Sequence, residues 1–349
     1  MRYQTFVIGY GDEQANGRGI YRVTLESGTL QARLVYACAM KPGALLVLGK
    51  QLLMSCRDDH QVSAILTFII QENGMLSLQD KHEIPYFISS FARTENQKQC
   101  LASSFYDGVD LLLTINGSIE ISSVIAHKYR SRSTDLRQST CHPHHIGMIG
   151  SAQQVFSVDM GTDLVSLYAI EKDQLNIIDE LWLDCPLGSG PRIMRISADH
   201  QFAYLLNEIA NSIAVYALHG TKQTEPHSVP RSFSLQEIQR LSTLTEESQI
   251  SNSAAGFAIT ADGKFLLATN RGEESLVLFQ IDRRSGSLTF CQRIQTARTP
   301  RDIYIFGHQV IVAAQSSNCL QLFEIDTANR QLLMLDEVQG VTAPVGFAQ

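Results

Sequence analysis

Residues 141–168 read CHPHHIGMIGSAQQVFSVDMGTDLVSLY, and residues 188–216 read GSGPRIMRISADHQFAYLLNEIANSIAVY. The two stretches share one plan. A proline with a polar neighbour opens an apolar run, and a turn leads to a second run ending in Asp159 or in Asn207-Glu208. A third run then ends in Tyr168 or Tyr216. Runs of about six residues, rich in β-branched and aromatic side chains and separated by polar turns, are the pattern of short strands.

The plan recurs along the whole chain. Six of the nine prolines (Pro42, Pro85, Pro143, Pro191, Pro300 and Pro344) open such units, at spacings of 43, 58, 48, 109 and 44 residues. The gap of 109 holds two units, the second opening near Ala254 without a proline. A period near 45 residues with several strands per unit is the signature of a β-propeller blade. Six complete units are visible. A seventh is assembled from TFVIGYG, GIYRVTL and LQARLVYA at the start and TAPVGFAQ at the end. The expected fold is therefore all-β, a seven-bladed propeller closed by pairing of N- and C-terminal strands, in a single domain over residues 1–349. Residues 217–251 depart from the period; TKQTEPHSVPR is read as a polar loop. SLQEIQRLS, with Ser234 and Glu237 at capping-box spacing, is read as a short helix or an extended crossover.

Composition narrows the function. The 349 residues are 44% hydrophobic and 18% charged, with a net charge of −7, so no global positive excess exists to neutralise nucleic-acid phosphates. ALLVLGKQLLMSC is interrupted by Gly49, Lys50 and Gln51 and is too short for a membrane span. MRYQTFVIGYG lacks the apolar core of a secretory leader. The seven cysteines contain no CxxC pair and sit mostly in apolar runs, which points to reduced, buried thiols and a cytoplasmic location. Trp182 is read as a packing residue on an outer strand. Gly9, Gly11, Gly17 and Gly19 are read as turns, because no GKS/T and no helix pattern follow them.

Hairpin geometry brings polar groups to one end of the inner strands. Counting from the turns sets Arg192 opposite Glu208, His144 opposite Asp159, and Arg301 opposite Ala314 and Gln315; Asn270 and Arg271 end a second strand. Arginine binds carboxylate or phosphate in a bidentate fashion and stabilises an oxyanion, and a carboxylate or imidazole beside it moves protons. Arg192 with Glu208 reads equally as a structural ion pair at a partly exposed rim. His142 and His144 lie on one side of a strand, but no third ligand has a defined spacing, so no metal is assigned there.

At these residues the chain resembles the lactonase family of seven-bladed propellers, which includes propeller-type 6-phosphogluconolactonases and carboxymuconate lactonizing enzymes. GRGIYRVTLESGTL near the start, HPH at 142–144, GSGPR at 188–192, NE at 207–208, NSAA with DGKFLLATNRG over 252–272, and PRD at 300–302 match its motifs in order. The resemblance implies a catalytic set of Glu208, His144 (or His142), Arg192 and Arg271, with no metal and no organic cofactor. His142, Asp159, Asn207, Asn270, Arg301 and Gln315 stand beside these and are assigned to substrate binding. Two positions depart from the family pattern. Ala255-Gly256-Phe257-Ala258 stands where Ala-Glu-Ile-His is usual, and Ile193 stands where a His commonly follows GPR. The implied activity is hydrolysis of a sugar-acid lactone, 6-phosphogluconolactone foremost, and so a small anionic partner. A carboxymuconate-type lactonizing isomerase and a non-catalytic binding propeller are the alternatives.

Overall fold

The computed structural model describes residues 2–128, 133–150, 153–220, 233–245 and 250–349. The fold is a seven-bladed β-propeller of seven four-stranded antiparallel sheets. The first blade joins Pro344–Phe347 to Arg2–Gly9, Gly19–Glu26 and Thr29–Ala37, in that order. The second is Lys41–Leu48, Gln51–Arg57, Ser63–Ile70 and Leu76–Ile84, and the third is Ser90–Arg93, Gln99–Ser104, Val109–Ile115 and Ile119–Ala126. The fourth is Pro143–Ile149, Gln154–Asp159, Leu164–Glu171 and Gln174–Asp184. The fifth is Pro191–Ile196, Phe202–Asn207, Ser212–Gly220 and Phe233–Ser242. The sixth is Ser253–Ile259, Phe265–Arg271, Ser275–Ile281 and Leu288–Gln295, and the seventh is Pro300–Phe306, Gln309–Ala314, Cys319–Asp326 and Gln331–Gln339.

The chain gathers into two compact units. One comprises Met1–Ile88, Thr243–Ile281 and Thr289–Gln349; the other comprises Ser89–Ser242 and Asp282–Leu288. Within each unit, neighbouring blades bury their facing side chains. Phe156, Val158 and Leu167 of the fourth blade meet Met194, Leu205 and Tyr216 of the fifth. In the other unit, Val7 and Val23 of the first blade meet Ile311 and Leu322 of the seventh. Middle strands are therefore buried on both faces, as in Phe202–Asn207, whereas outer strands such as Gln331–Gln339 alternate between buried and exposed. This explains why middle strands read as continuous apolar runs.

Two sequence expectations change. SLQEIQRLS is not helical: Phe233–Ser242 is the outer strand of the fifth blade, paired with Ser212–Gly220 from Gly220↔Phe233 to Ser212↔Ser242. Ser234 to Glu237 has capping spacing by coincidence, and tertiary pairing overrides it. The loop reading of TKQTEPHSVPR lies outside the described residues. Pro85 does not open a strand; it lies between Leu76–Ile84 and Ser90–Arg93. Trp182 is on an outer strand, as expected, and its indole N–H donates to the Phe233 carbonyl. The seven cysteines are all free, six of them buried.

The terminal strand completes its blade through named bonds. Val7 pairs with Phe347 and Ile8 with Gly346, while Ala348 N–H donates to the Phe6 carbonyl at 2.8 Å. The strand also engages blades on either side. Phe347 N–H donates to Asp302 Oδ2 at 2.8 Å, and Val47 N–H donates to the Gln349 carbonyl at 3.0 Å. Val345, Phe347 and Ala348 are buried. Deleting residues 342–349 should thus expose an edge strand and lower the melting temperature, and Phe347→Ala alone should cost about 3–5 kcal/mol. A truncated protein that melts like the full-length chain would remove the closure argument.

Candidate active site

The prolines that open the inner strands set the positions of the polar side chains. Pro143 pairs with Asp159 and His145 with Val158, so His144 is an extra, bulged residue. Pro191 pairs with Asn207 and Ile193 with Leu206, which makes Arg192 the bulge. Pro300 pairs with Ala314 and Asp302 with Ala313, which does the same for Arg301. Proline has no N–H for the ladder, and a bulge interrupts the alternation of faces and re-aims one side chain. The register read from the sequence is therefore corrected by one residue. His144, Arg192 and Arg301 are not opposite Asp159, Glu208 and Gln315; each is the residue that the ladder skips.

In the unit Ser89–Ser242, three of the sequence-assigned groups form a chain of contacts. Arg192 Nη1 lies 2.6 Å from His144 Nε2 and 2.5 Å from Glu208 Oε2. A guanidinium has only donors, so His144 Nε2 accepts and its ring proton sits on Nδ1, an atom buried from solvent. In this arrangement His144 Nε2 is engaged by Arg192. The Arg192 and Glu208 side chains are each 9% exposed, so the pair is buried rather than at a wet rim.

His142 is oriented differently. Its ring stacks on Phe105 at 4.2 Å, 9° from parallel, and Nδ1 donates to the Phe105 carbonyl at 2.9 Å. That bond leaves a lone pair on Nε2. The same Phe105 ring meets His144 edge-on at 5.7 Å, so one aromatic side chain holds both imidazoles. His145, the third imidazole of the run, accepts from Arg195 Nη1 at 3.1 Å. Burial, then the charges of Arg195 and Arg192, hold it well below the usual imidazole range and so neutral. Arg137, on the single turn Leu136–Gln138, is paired with Asp135 at 2.7 Å, and Glu208 lies near enough to favour its charged form further.

Asp159 and Asn207 are buried and held by hydrogen bonds. Asp159 is 1% exposed; its Oδ1 accepts from the backbone N–H groups of His142, Gly161 and Thr162 at 2.8, 2.8 and 3.2 Å. Asn207, fully buried, donates to Ser212 Oγ at 3.1 Å. Behind Asp159 stands a group that sequence reading missed. His127 Nδ1 is 2.8 Å from Asp159 Oδ2, and His127 Nε2 is 2.6 Å from Asp110 Oδ2. Asp110 also accepts from Ser103 Oγ at 2.5 Å and from Tyr168 Oη at 3.1 Å. A small, half-open cleft lies beside this cluster, lined by His127, Asp159, Thr162 and Tyr168 but not by Arg192 or Glu208.

The remaining assigned residues belong to the unit that holds both termini. Asn270, fully buried, donates to the Thr243 carbonyl at 2.8 Å and to Ser275 Oγ at 3.1 Å, and its Oδ1 accepts from Thr243 Oγ1 at 2.8 Å. Arg271 Nε donates to the Ser253 carbonyl at 3.3 Å. Arg301 Nη1 donates to Gln315 Oε1 at 3.2 Å, and its guanidinium lies 5.9 Å from the Tyr10 ring centre. Gly256 leaves no room for the acid usual in the family: a Cβ there would lie 2.7 Å from Ile303 Cγ1 and 3.0 Å from Thr269 Oγ1. The departure at this position is built into the packing.

A family model described as Lactonase, 7-bladed beta-propeller, matches residues 5–348. The chain belongs to the lactonase family. Among relatives of this lactonase-family chain, the 6-phosphogluconolactonase of Bacillus subtilis (strain 168) is 26% identical over 234 residues, 66% of this chain and 63% of that protein. An uncharacterized protein of Staphylococcus epidermidis is 24% identical over 92% of this chain and 93% of its own length. Among solved structures, the periplasmic gluconolactonase of Pseudomonas aeruginosa superposes with a TM-score of 0.87 at 22% identity, covering 99% of this chain and 98% of that one. A protein from Lactobacillus plantarum gives the same TM-score of 0.87 at 22% identity, covering 99% of each chain. These two structures share the fold. Among the described residues, no helix is long and apolar enough to cross a membrane.

The His127 cluster makes stability depend on pH in a defined direction. Burial alone would pull this imidazole down; the charge and hydrogen bonds of Asp110 and Asp159 together outweigh it and push the ring up to about 10. The folded state thus holds a proton that the unfolded state releases near 6.5. Its contribution is complete below 6.5 and is lost as pH rises through about 10. Unfolding free energy measured by denaturant across that window should fall for the wild type, and fall less for His127→Gln. A ring that titrates below pH 7 by NMR would refute the assignment.

Proposed function

We propose that the protein hydrolyses a sugar-acid lactone, with 6-phosphogluconolactone as the foremost substrate. The observation that carries this reading is Arg192, held between His144 and Glu208 at 2.6 and 2.5 Å. It presents a fixed positive charge beside a carboxylate in a largely desolvated setting. Opening a lactone needs a water proton accepted, a tetrahedral oxyanion stabilised and the leaving ring oxygen protonated. Glu208 accepts the proton from water and Arg192 faces the oxyanion. The proton then passes from Glu208 to the ring oxygen as the acyl C–O bond breaks, so water adds across that bond with no cofactor. Arg137 supplies a second guanidinium near Glu208 for a phosphate or carboxylate on the substrate.

The named relatives support the substrate class, since one is a 6-phosphogluconolactonase and another a gluconolactonase. With the phosphorylated substrate, the protein would serve the pentose phosphate pathway in the cytoplasm. A second reading of the base rests on His142, whose Nε2 lone pair remains after Nδ1 bonds Phe105. A carboxymuconate-type isomerisation would use the same proton acceptor without water.

The burial of the ion pair changes what a mutation should do. Removing one partner of a buried pair leaves the other uncompensated, at about 3–5 kcal/mol, so Arg192→Ala should destabilise the fold as well as slow it. Glu208→Gln keeps the shape and is the cleaner probe. Each variant should lower turnover of 6-phosphogluconolactone per folded molecule by roughly a hundredfold or more. Normal turnover by Glu208→Gln together with loss in His142→Asn would move the base to His142. Normal turnover in both variants would sink the assignment of this cluster.

A further inference from the structure

Three cations gather around Tyr10 in the unit that holds both termini. Tyr10 directly follows the strand Arg2–Gly9, as Gln315 follows Gln309–Ala314. Lys41 opens the strand Lys41–Leu48, and Arg301 is the bulged residue of Pro300–Phe306. Lys41 Nζ lies over the Tyr10 ring, 5.4 Å from its centre, and the Arg301 guanidinium carbon lies at 5.9 Å. Arg18 Nε donates to the Tyr10 carbonyl at 3.1 Å, and Arg18 Nη1 to the Ala39 carbonyl, close before Lys41, at 2.9 Å. Tyr10 N–H donates in turn to the Ala343 carbonyl at 3.0 Å. The reading of GYGDEQANGRG as turns fits this anchoring, since Gly17, at φ +71°, leaves no room for a Cβ against the Thr342 side chain.

None of these three cations meets a carboxylate. Among the described residues no ion pair joins Arg18, Lys41 or Arg301 to an acid, whereas Lys81, Lys264 and Arg293 of the same unit each have one. The acids adjacent in sequence are engaged by other donors. Asp12 accepts from the N–H groups of Gln14 and Asn16 at 3.0 and 2.8 Å, and Asp302 from those of Ile303 and Phe347 at 2.9 and 2.8 Å. The residue paired with Lys41 across the sheet is Arg57, another cation, so the ladder supplies no carboxylate either. Gln315 gives its side-chain oxygen to Arg301 at 3.2 Å, which leaves its NH2 as a further donor. The Tyr10 hydroxyl makes no hydrogen bond among the described residues. The cluster thus offers an ammonium, guanidinium N–H groups, an amide NH2 and a phenol O–H, in a chain whose net charge is −7.

We propose that Tyr10, Lys41, Arg301 and Gln315 form a binding site for the phosphate group of a monoester, with Arg18 behind it. Like charges held close together repel, and an anion among them removes that cost. Arg301, oriented at one Nη by a neutral amide, keeps its other N–H groups for a bidentate grip on oxygen. Lys41 adds a compact charge, and the Tyr10 and Gln315 donors reward a ligand with several acceptor oxygens. A phosphate monoester brings three such oxygens and a charge of about −1.5 to −2 near pH 7, more than the two oxygens and single charge of a carboxylate. The site lies wholly in this unit, and it does not rest on the hydrolase reading of Arg192 and Glu208.

The test is calorimetric titration of the full-length protein with inorganic phosphate and with glycerol 3-phosphate, at an ionic strength held constant with sodium chloride. One equivalent of either should bind and raise the melting temperature, the ester at least as tightly as the free ion. Arg301→Gln and Lys41→Gln should each weaken binding by roughly tenfold or more, and Tyr10→Phe, which keeps the ring, by about threefold. Lys50→Gln removes the same charge at the far end of Lys41–Leu48 and should bind normally. Sodium gluconate, a carboxylate, should bind roughly tenfold more weakly than phosphate or worse. Without ligand, Lys41→Gln should melt at or above the wild-type temperature, because it relieves repulsion. A fall in that temperature with unchanged phosphate binding would make Lys41 a structural contact and overturn the site. So would a wild type with no saturable phosphate binding, or Arg301→Gln and Lys41→Gln variants that bind as the wild type does. Exclusion of the ester, or gluconate bound as tightly as phosphate, would overturn the assigned ligand.

Discussion

A proline at the start of an inner strand cannot donate to the ladder, and the chain answers with a bulge at the next residue. This constraint decides where the chemistry sits. In three blades the skipped residue is polar, namely His144, Arg192 or Arg301. Each bulge lies within a paired strand, so the side chain is aimed by a regular frame and not by a long loop. In two of these blades the residue after the second strand is polar and meets the bulged arginine: Glu208 pairs with Arg192, and Gln315 accepts from Arg301.

Two buried charge clusters stand on that frame in the unit Ser89–Ser242, and they differ in kind. Arg192 donates to a carboxylate and to an imidazole, which holds it as a charged, oriented group beside Glu208. His127 is closed between two carboxylates and has both nitrogens engaged. Asp159 links this second cluster to the strand of the first, because its other oxygen takes the backbone N–H of His142. The His127 group thus fixes the start of the strand that carries His142 and His144. A buried ion pair or triad adds little net stability compared with apolar packing, but it fixes one geometry.

Much of this was legible in the chain. The proline period gave the blades, and the two partial ends predicted the pairing of Pro344–Phe347 with Arg2–Gly9. The local motifs also placed His144, Arg192 and Glu208 close together. Register was misjudged by one residue because a bulge leaves no mark on apolar alternation in strands buried on both faces. Asp159, Asn207 and Asn270, assigned to substrate binding from their position at strand ends, also tie the adjoining turns, as short polar side chains there commonly do. His127, Asp110, Phe105 and Arg137 carry no motif; His127 meets Asp159 only through contact between blades. The sequence leaves SLQEIQRLS between a short helix and an extended segment, and it is extended; an edge strand half open to water tolerates the charged residues that also suit a helix.

The shared first blade has a consequence for how the protein is made. Strands Arg2–Gly9, Gly19–Glu26 and Thr29–Ala37 are synthesised about 300 residues before Pro344–Phe347, the inner partner of Arg2–Gly9. At about 5–20 residues per second, the open edge of that nascent sheet waits on the order of tens of seconds for its complement. During that interval Val7 and Ile8, fully buried in the finished blade, face a strand that does not yet exist. The same latch that secures the mature protein therefore postpones closure of this blade until Pro344–Phe347 has been made, and it leaves the edge of Arg2–Gly9 as a segment in need of cover until then.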